Sequence, residues 1–220
     1  MATRHIKIYM IVEDRYCDPY RELTEKIDSR IRCSPLRKNK TIPATRKLRV
    51  WIQDAQSKKN CDFVFVLVDL DTPMHRRDPQ YFQKLQEICK EEGAVLLIVK
   101  RELESWILAD VNSIARWKNN NRSLPSYNNT AQNPLNPKKE IEKLVHQLTS
   151  SRKRSKKKFK PRWVTELAKH VEINETTLSK NSSLRCFYDL VKGCCAKDGQ
   201  QYFDNYPQEA HCNSPQMADD

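Results

Sequence analysis

The sequence contains little glycine and no long hydrophobic stretch. Three of its 220 residues are glycine, and its apolar runs reach only six residues, as from Phe63 to Val68. A membrane-spanning helix needs about 20 apolar residues, and the amino-terminal segment becomes charged too early for a secretory signal. We therefore expect a soluble, cytoplasmic protein that has no membrane partner.

Two common sequence motifs are also missing. No Gly-x-x-x-x-Gly-Lys-Ser/Thr sequence occurs, so we expect no ATP hydrolysis through a P-loop. No Cys-x-x-Cys pair occurs among the late zinc-capable residues, which disfavours zinc there; these are Cys186, Cys194, Cys195, His211 and Cys212. The earlier cysteines follow no repeated spacing and are interpreted as free thiols in a reducing compartment; these are Cys17, Cys33, Cys61 and Cys89.

Positive charge is abundant. Forty Lys and Arg residues against 28 Asp and Glu give a formal net charge of +12. Such an excess favours a polyanionic partner, and we expect nucleic acid rather than an anionic membrane surface. The hydrophobic content of 38% is sufficient for a folded core.

Strand and helix patterns alternate along the first half of the chain. Apolar strand patterns occupy residues 5–12, 62–69 and 94–99, and a weaker one lies near residues 32–36. Helical spacing occupies residues 19–31, 41–59, 79–93 and 102–118. This alternation predicts an α/β domain whose parallel strands carry functional groups at their carboxyl ends.

Composition changes after residue 118, and this predicts four parts. Residues 1–118 form the α/β domain, and residues 119–136, rich in Asn, Ser and Pro, form a linker. Helical patterns return at 138–149, 162–170 and 182–192, so residues 137–195 are predicted to be a helical basic region. Residues 196–220 are predicted to be a flexible tail.

Three acidic residues follow the first and third predicted strands. Glu13 comes after the first strand, and Asp69 and Asp71 end the third. Positions i and i+2 of an extended chain point to the same side, so Asp69 and Asp71 should converge, and Glu13 joins them if the two strands are neighbours. Carboxylate oxygens are preferred Mg²⁺ ligands, so the pattern favours a magnesium site. The alternative is that these acids are solvated turn residues.

The order of these motifs resembles that of a known domain. A Glu after the first strand, followed by an apolar strand ending in Val-Asp-Leu-Asp, resembles the Toprim domain of topoisomerases, primases and overcoming-lysogenization-defect nucleases. The segment Lys100 to Asp110, KRELESWILAD, resembles the Glu-x-Trp-Leu-Leu-Ala-Asp signature of the uncharacterised Toprim-like family DUF4276. Residues 11–14, Ile-Val-Glu-Asp, resemble that family's opening Val-Glu-Gly, with Asp14 in place of Gly.

The resemblance implies a three-layer Toprim-like nuclease fold over about the first 120 residues. It implies that Glu13 acts as general acid or base, that Glu13, Asp69 and Asp71 form a Mg²⁺ or Mn²⁺ site, and that Glu104 is a further acid near the pocket. It also implies bacterial defence against phage beside an ATPase partner. The residues alone favour a plainer interpretation of Glu104, as an acid in a first helical turn, and of Trp106, as a core residue.

Basic residues are concentrated in the segment RKRSKKKFK, which we predict to bind nucleic acid through phosphate contacts. These residues are Arg152, Lys153, Arg154, Lys156, Lys157, Lys158 and Lys160. Phe159 within the segment is either a base-stacking residue or a hydrophobic anchor, and the whole segment is alternatively a solvated loop. Arg76 and Arg77, just after the acidic pair, are predicted to hold the scissile phosphate.

The sequence therefore favours a metal-dependent endonuclease. The alternative is a noncatalytic nucleic-acid-binding or adaptor subunit that keeps the same fold. A nucleotidyl-transferring or strand-rejoining enzyme is disfavoured, because no tyrosine is placed convincingly as a covalent nucleophile. The choice between DNA and RNA and the oligomeric state are left open.

Overall fold

A computed structural model describes residues 5–13, 17–37, 41–70, 79–99, 102–119, 124, 136–148 and 158–196. Four parallel strands form one sheet in the order β2-β1-β3-β4. They are β1 (Ile6–Val12), β2 (Ile31–Arg37), β3 (Phe63–Asp69) and β4 (Val95–Val99). The predicted α/β class with a parallel sheet is confirmed, including the weak strand β2, whose Pro35 is tolerated because it lies on an edge strand.

Helices cover both faces of the sheet. Nine are present among the described residues: α1 (Asp18–Ile27), α2 (Arg46–Lys59), α3 (Pro79–Glu91), α4 (Leu103–Ala109), α5 (Asn112–Trp117), α6 (Pro137–Leu148), α7 (Arg162–Ala168), α8 (Glu175–Ser179) and α9 (Ser182–Cys194). Gly93, at φ 64°, lies two residues beyond α3 and provides the predicted helix stop.

One helix boundary and one short helix differ from the prediction for local reasons. α2 begins at Arg46 rather than Thr41, because the Thr45 side chain caps it by accepting a hydrogen bond from the Lys47 N–H at 3.4 Å. α8 was not predicted; its five residues are too few to show a periodic pattern, and the Asn174 side chain caps it.

The prediction of one helix over residues 102–118 is wrong, because the chain breaks at Asp110. The Asp110 carboxylate accepts a hydrogen bond from the Glu172 N–H at 2.8 Å and pairs with Arg116. Arg116 in turn donates to the His170 carbonyl oxygen at 2.7 and 3.0 Å. Glu172 and His170 lie far from Asp110 and Arg116 in the sequence, so the apolar spacing of residues 103–117 could not reveal the break.

Alternate residues of β1, β3 and β4 face two separate hydrophobic clusters, whereas β2 contributes to the first cluster alone. Met10 and Phe65 point to one face, where they pack with α1, α4 and the later helices. Ile11 and Val66 point to the other face, where they pack with α2 and α3. The alternation follows from the pleat of the strands, and it gives three layers with the sheet in the middle.

The later helices belong to the first of these clusters. Phe187 of α9 is fully buried and its ring lies 4.8 Å from that of Trp106. Trp163 and Leu167 of α7 are buried in the same cluster. The described part of the predicted helical region therefore shares one core with the sheet, while the four-part division at residues 118, 136 and 195 stays a prediction.

Candidate functional site

The carboxyl ends of β1 and β3 bring two of the predicted acids together. The strands are neighbours, with Val12 of β1 opposite Leu67 of β3. Glu13 follows β1 directly, and Asp69 is the last residue of β3. Both side chains are half-buried. Asp71 lies outside the described residues, so its place beside them stays a prediction.

Backbone hydrogen bonds hold both oxygens of the Glu13 carboxylate. Oε1 accepts from the Ile42 N–H at 2.7 Å, and Oε2 accepts from the Asp69 N–H at 3.1 Å. Bonds from N–H groups to a charged carboxylate are among the stronger hydrogen bonds in proteins. The side chain thus joins the end of β1 to the end of β3 and to the segment that precedes α2.

Tyr81 of α3 is a third neighbour of Glu13. Its hydroxyl donates to the Ile42 carbonyl oxygen at 2.7 Å. Burial raises the pKa of the Tyr81 phenol, and the negative charge of Glu13 and a hydrogen bond to it raise that pKa further. Tyr81 therefore stays protonated and can donate. Sequence reasoning missed it, although a polar-tipped aromatic in the first turn of the helix after Asp-Leu-Asp was the available signal.

Glu104 lies in the first turn of α4, after the carboxyl end of β4. Its side chain is 7% exposed, and the Lys138 ammonium of α6 is 3.8 Å from its Oε1. The same ammonium is 2.9 Å from Oε1 of Glu102. One lysine thus partly neutralises two carboxylates, which makes the burial of Glu104 tolerable.

Two residues of the KRELESWILAD segment, Ser105 and Trp106, bind the region that begins α9. The Trp106 Nε1–H donates to Ser183 Oγ at 2.8 Å, and the Asn181 amide donates to Ser105 Oγ at 3.1 Å. Trp106 is fully buried, which confirms its interpretation as a core residue. Since Asp110 also bonds to residues after α7, most of this segment performs a structural task.

Only the end of the predicted basic segment is described. Lys158 and Lys160 are exposed, while Phe159 between them is half-buried. The Phe159 ring lies 5.9 Å from that of Trp163, and its N–H donates to Glu142 at 3.3 Å. Of the two alternatives for Phe159, these contacts support the hydrophobic anchor. The other predicted basic residues lie outside the described residues: Arg76, Arg77, Arg152, Lys153, Arg154, Lys156 and Lys157.

The described residues bring at most two potential metal ligands together at one place. No group of three or more His, Cys, Asp or Glu residues that could hold a metal ion occurs there. Glu13 and Asp69 supply hard oxygen atoms of the kind magnesium prefers. The prediction of a three-carboxylate site thus depends on Asp71.

The thiols carry no described metal site. Cys17, Cys33, Cys61 and Cys89 are free, as predicted, whereas Cys186 forms a disulfide bond. Burial raises the pKa of both Cys33 and Cys89 to about 12, so these two remain protonated and unreactive at neutral pH.

Comparisons with known protein families, with curated proteins and with solved structures find no match to this chain. The resemblance to Toprim proteins therefore stays a prediction from the sequence. Among the described residues, no helix has both the length and the apolar character required to cross a bilayer.

Proposed function

We propose that this protein is a magnesium-dependent nuclease of Toprim-like architecture that cleaves phosphodiester bonds in nucleic acid. The observation that supports this most is the bond between the Glu13 carboxylate and the Asp69 backbone at the carboxyl edge of the sheet. Active groups of parallel α/β domains gather at this edge.

The aspartates and the glutamate have different roles in this proposal. Asp69 and Asp71 would hold magnesium or manganese, with Glu13 beside them, because carboxylate oxygens suit these hard ions. The ion would stabilise negative charge that develops on the phosphate. Glu13 would take the proton that an attacking water loses, or supply one to the leaving oxygen. Its two backbone donors and Tyr81 would keep the carboxylate oriented for that transfer.

The net charge of +12 supports a nucleic-acid substrate. Lys158 and Lys160 would contact phosphates together with the basic residues that precede them, and Arg76 and Arg77 would hold the scissile phosphate. The proposed compartment is the cytoplasm. A role beside an ATPase partner in defence against phage is also proposed, and it rests on the resemblance alone. The protein is proposed to act with or without oligomerisation.

A noncatalytic nucleic-acid-binding subunit is the second candidate. Two observations favour it: both Glu13 oxygens already bind backbone N–H groups, and Glu104 is paired with Lys138. In this reading the acids stabilise the sheet edge, and Glu104 transfers no proton. The positive surface alone would then carry the function.

The deciding experiment is cleavage of labelled DNA and RNA, single- and double-stranded, with magnesium, with manganese and with EDTA. Asp69→Ala tests the metal ligand, and Asp62→Ala is its matched control. Asp62 precedes β3 at the opposite edge, where its carboxylate accepts the Lys7 N–H at 2.8 Å. A nuclease loses cleavage in EDTA and in Asp69→Ala but keeps it in Asp62→Ala.

A second measurement does not depend on activity. A metal that binds only the folded state increases the free energy of unfolding, by about 2.7 kcal/mol when its concentration is one hundred times its Kd. The melting temperature rises accordingly. We expect magnesium to stabilise the wild type and Asp62→Ala, but not Asp69→Ala. Equal stabilisation of all three proteins by magnesium would contradict the proposed metal site. Nucleic-acid binding without cleavage under every condition would favour the noncatalytic subunit.

A further inference from the structure

An aromatic cluster lies where α5, α7 and the end of the basic segment meet. The rings of Trp117 and Trp163 are 5.6 Å apart, and the Phe159 ring is 5.9 Å from Trp163. Trp163 is buried, whereas Trp117 is only half-buried and therefore keeps part of its ring at the surface. Phe159 and Trp163 thus support Trp117 from within.

One lysine lies over this cluster, and two more neighbour Phe159 in the chain. The Lys118 ammonium lies 3.3 Å from the centre of the Trp117 ring and 5.9 Å from that of Trp163. Lys158 and Lys160 are exposed and are the chain neighbours of Phe159, whose ring packs on Trp163. Single-stranded nucleic acid is bound by this combination of an aromatic ring and nearby cations.

We propose that Trp117, Lys118, Lys158 and Lys160 form a binding site for an unpaired nucleobase and its flanking phosphates. The base would stack on Trp117, while Lys118 moves from the ring to a phosphate. The exchange is favourable, since stacking on an aromatic side chain contributes about 5- to 150-fold in affinity. An exposed cation–π contact contributes only about 2- to 5-fold.

This proposal deepens the proposed function, on which it rests, by naming single-stranded nucleic acid as the substrate class. Bases of a duplex are already stacked on one another and cannot reach Trp117. The site would therefore distinguish single strands from duplexes even though both carry the same phosphates. It requires no metal, so it can be measured where no cleavage occurs.

The test measures binding by fluorescence anisotropy in EDTA, with a labelled oligothymidylate of about 12 nucleotides and a duplex of the same length. The variants are Trp117→Leu and Lys118→Gln. Trp51→Leu is the matched control, because Trp51 is also half-buried beside a lysine, Lys47, whose ammonium lies 5.4 Å from its ring, on the opposite face of the sheet.

We expect Trp117→Leu to weaken single-strand binding by about 5- to 150-fold and to leave duplex binding unchanged. Lys118→Gln, a surface change that should leave the fold intact, should reduce the slope of log affinity against log salt by about 0.7 for single strands. Equal losses in Trp117→Leu and Trp51→Leu, equal losses for single strand and duplex, or an unchanged salt slope in Lys118→Gln would each overturn the proposal.

Failure of this site and failure of the proposed nuclease are distinguishable. Selective loss of single-strand binding in Trp117→Leu, together with no metal-dependent cleavage by the wild type, would support the binding site and reject the nuclease. Metal-dependent cleavage that persists in Trp117→Leu with unchanged single-strand affinity would support the nuclease and reject the binding site.

Discussion

Replacing Glu13 by glutamine should destabilise the protein whether or not it is an enzyme. The carboxylate accepts one backbone N–H on each oxygen, from Ile42 and from Asp69. An amide has only one oxygen, so its NH₂ group would face one of these N–H donors. Hydrogen bonds to charged groups contribute about 1.5–3 kcal/mol. Because Glu13 is half-buried, water recovers part of this loss, and we expect a cost of about 1–3 kcal/mol.

The assay is urea and thermal unfolding followed by circular dichroism. For a chain of this size, 1 kcal/mol shifts the melting temperature by about 2–4 °C, so Glu13→Gln should lower it by about 2–12 °C. Asp62→Ala, which removes the bond to the Lys7 N–H at the opposite edge, provides a variant with a comparable loss. An unchanged free energy of unfolding in Glu13→Gln would refute the argument that both backbone bonds hold this carboxylate.

Activity then separates the two roles of Glu13. A general acid or base contributes about 10²- to 10⁴-fold in rate, so its loss should exceed any effect of stability at a temperature where both variants are folded. Cleavage that falls equally in Glu13→Gln and Asp62→Ala would assign Glu13 a structural role alone.

Three further predictions concern residues away from the sheet edge. Asp110→Ala should lower the free energy of unfolding by about 2–4 kcal/mol, because the Glu172 N–H and the Arg116 guanidinium both lose their acceptor. Cys33 and Cys89 should resist iodoacetamide in the native protein and react in urea, as measured by mass spectrometry, because burial raises their pKa to about 12. Hydrogen bonds from Arg30 hold the pKa of Asp28 well below its usual range. A carboxyl group whose pKa is lower in the folded than in the unfolded state stabilises the folded protein at pH values above its unfolded pKa, which is about 3.9 for Asp. This stabilisation is lost as the pH falls towards the folded-state pKa. Arg30→Gln should therefore lower the melting temperature at pH 7, and the difference from wild type should shrink towards pH 2.

Each of these three has a contrary result. Unfolding of Asp110→Ala at the wild-type urea midpoint would mean that the α4–α5 break is held by other contacts. Labelling of Cys33 or Cys89 before unfolding would contradict their burial. A difference between Arg30→Gln and wild type that stays constant down to pH 2 would show that Arg30 stabilises by packing and not through the charge of Asp28.

The strands β1, β3 and β4 were predictable because each contains a short apolar run that the sheet buries on both faces. The edge strand β2 alternates buried with exposed residues and therefore gave a weaker signal. The apolar run from Phe63 to Val68, followed by Asp69, places an acid at the end of β3 without knowledge of the fold. The meeting of Glu13 with Asp69 needed one additional assumption, that β1 and β3 are neighbours, and the strand order confirms it. Local pattern and simple topology therefore define this edge of the sheet.

The features that sequence reasoning missed depend on partners distant along the chain. Nothing near Glu104 signals that Lys138 will neutralise it, since 34 residues separate them. Tyr81 reads as one more aromatic of an amphipathic helix until Ile42 and Glu13 are seen beside it. The break at Asp110 likewise requires Glu172. Periodicity reports which face of a helix is buried, but it does not report which polar groups meet across the core.

The shared core of the sheet and the later helices has a consequence for the order of folding during synthesis. α9, which packs against β4 and α1, ends at Cys194 and is among the last described parts to leave the ribosome. Until then, the part of this sheet face and of the Trp106 ring that α9 covers is exposed. Exposed apolar surface of this kind makes a nascent chain prone to aggregation and dependent on chaperones. A chain terminated before α9 should therefore be captured by chaperones or degraded, rather than persist as an independent α/β domain.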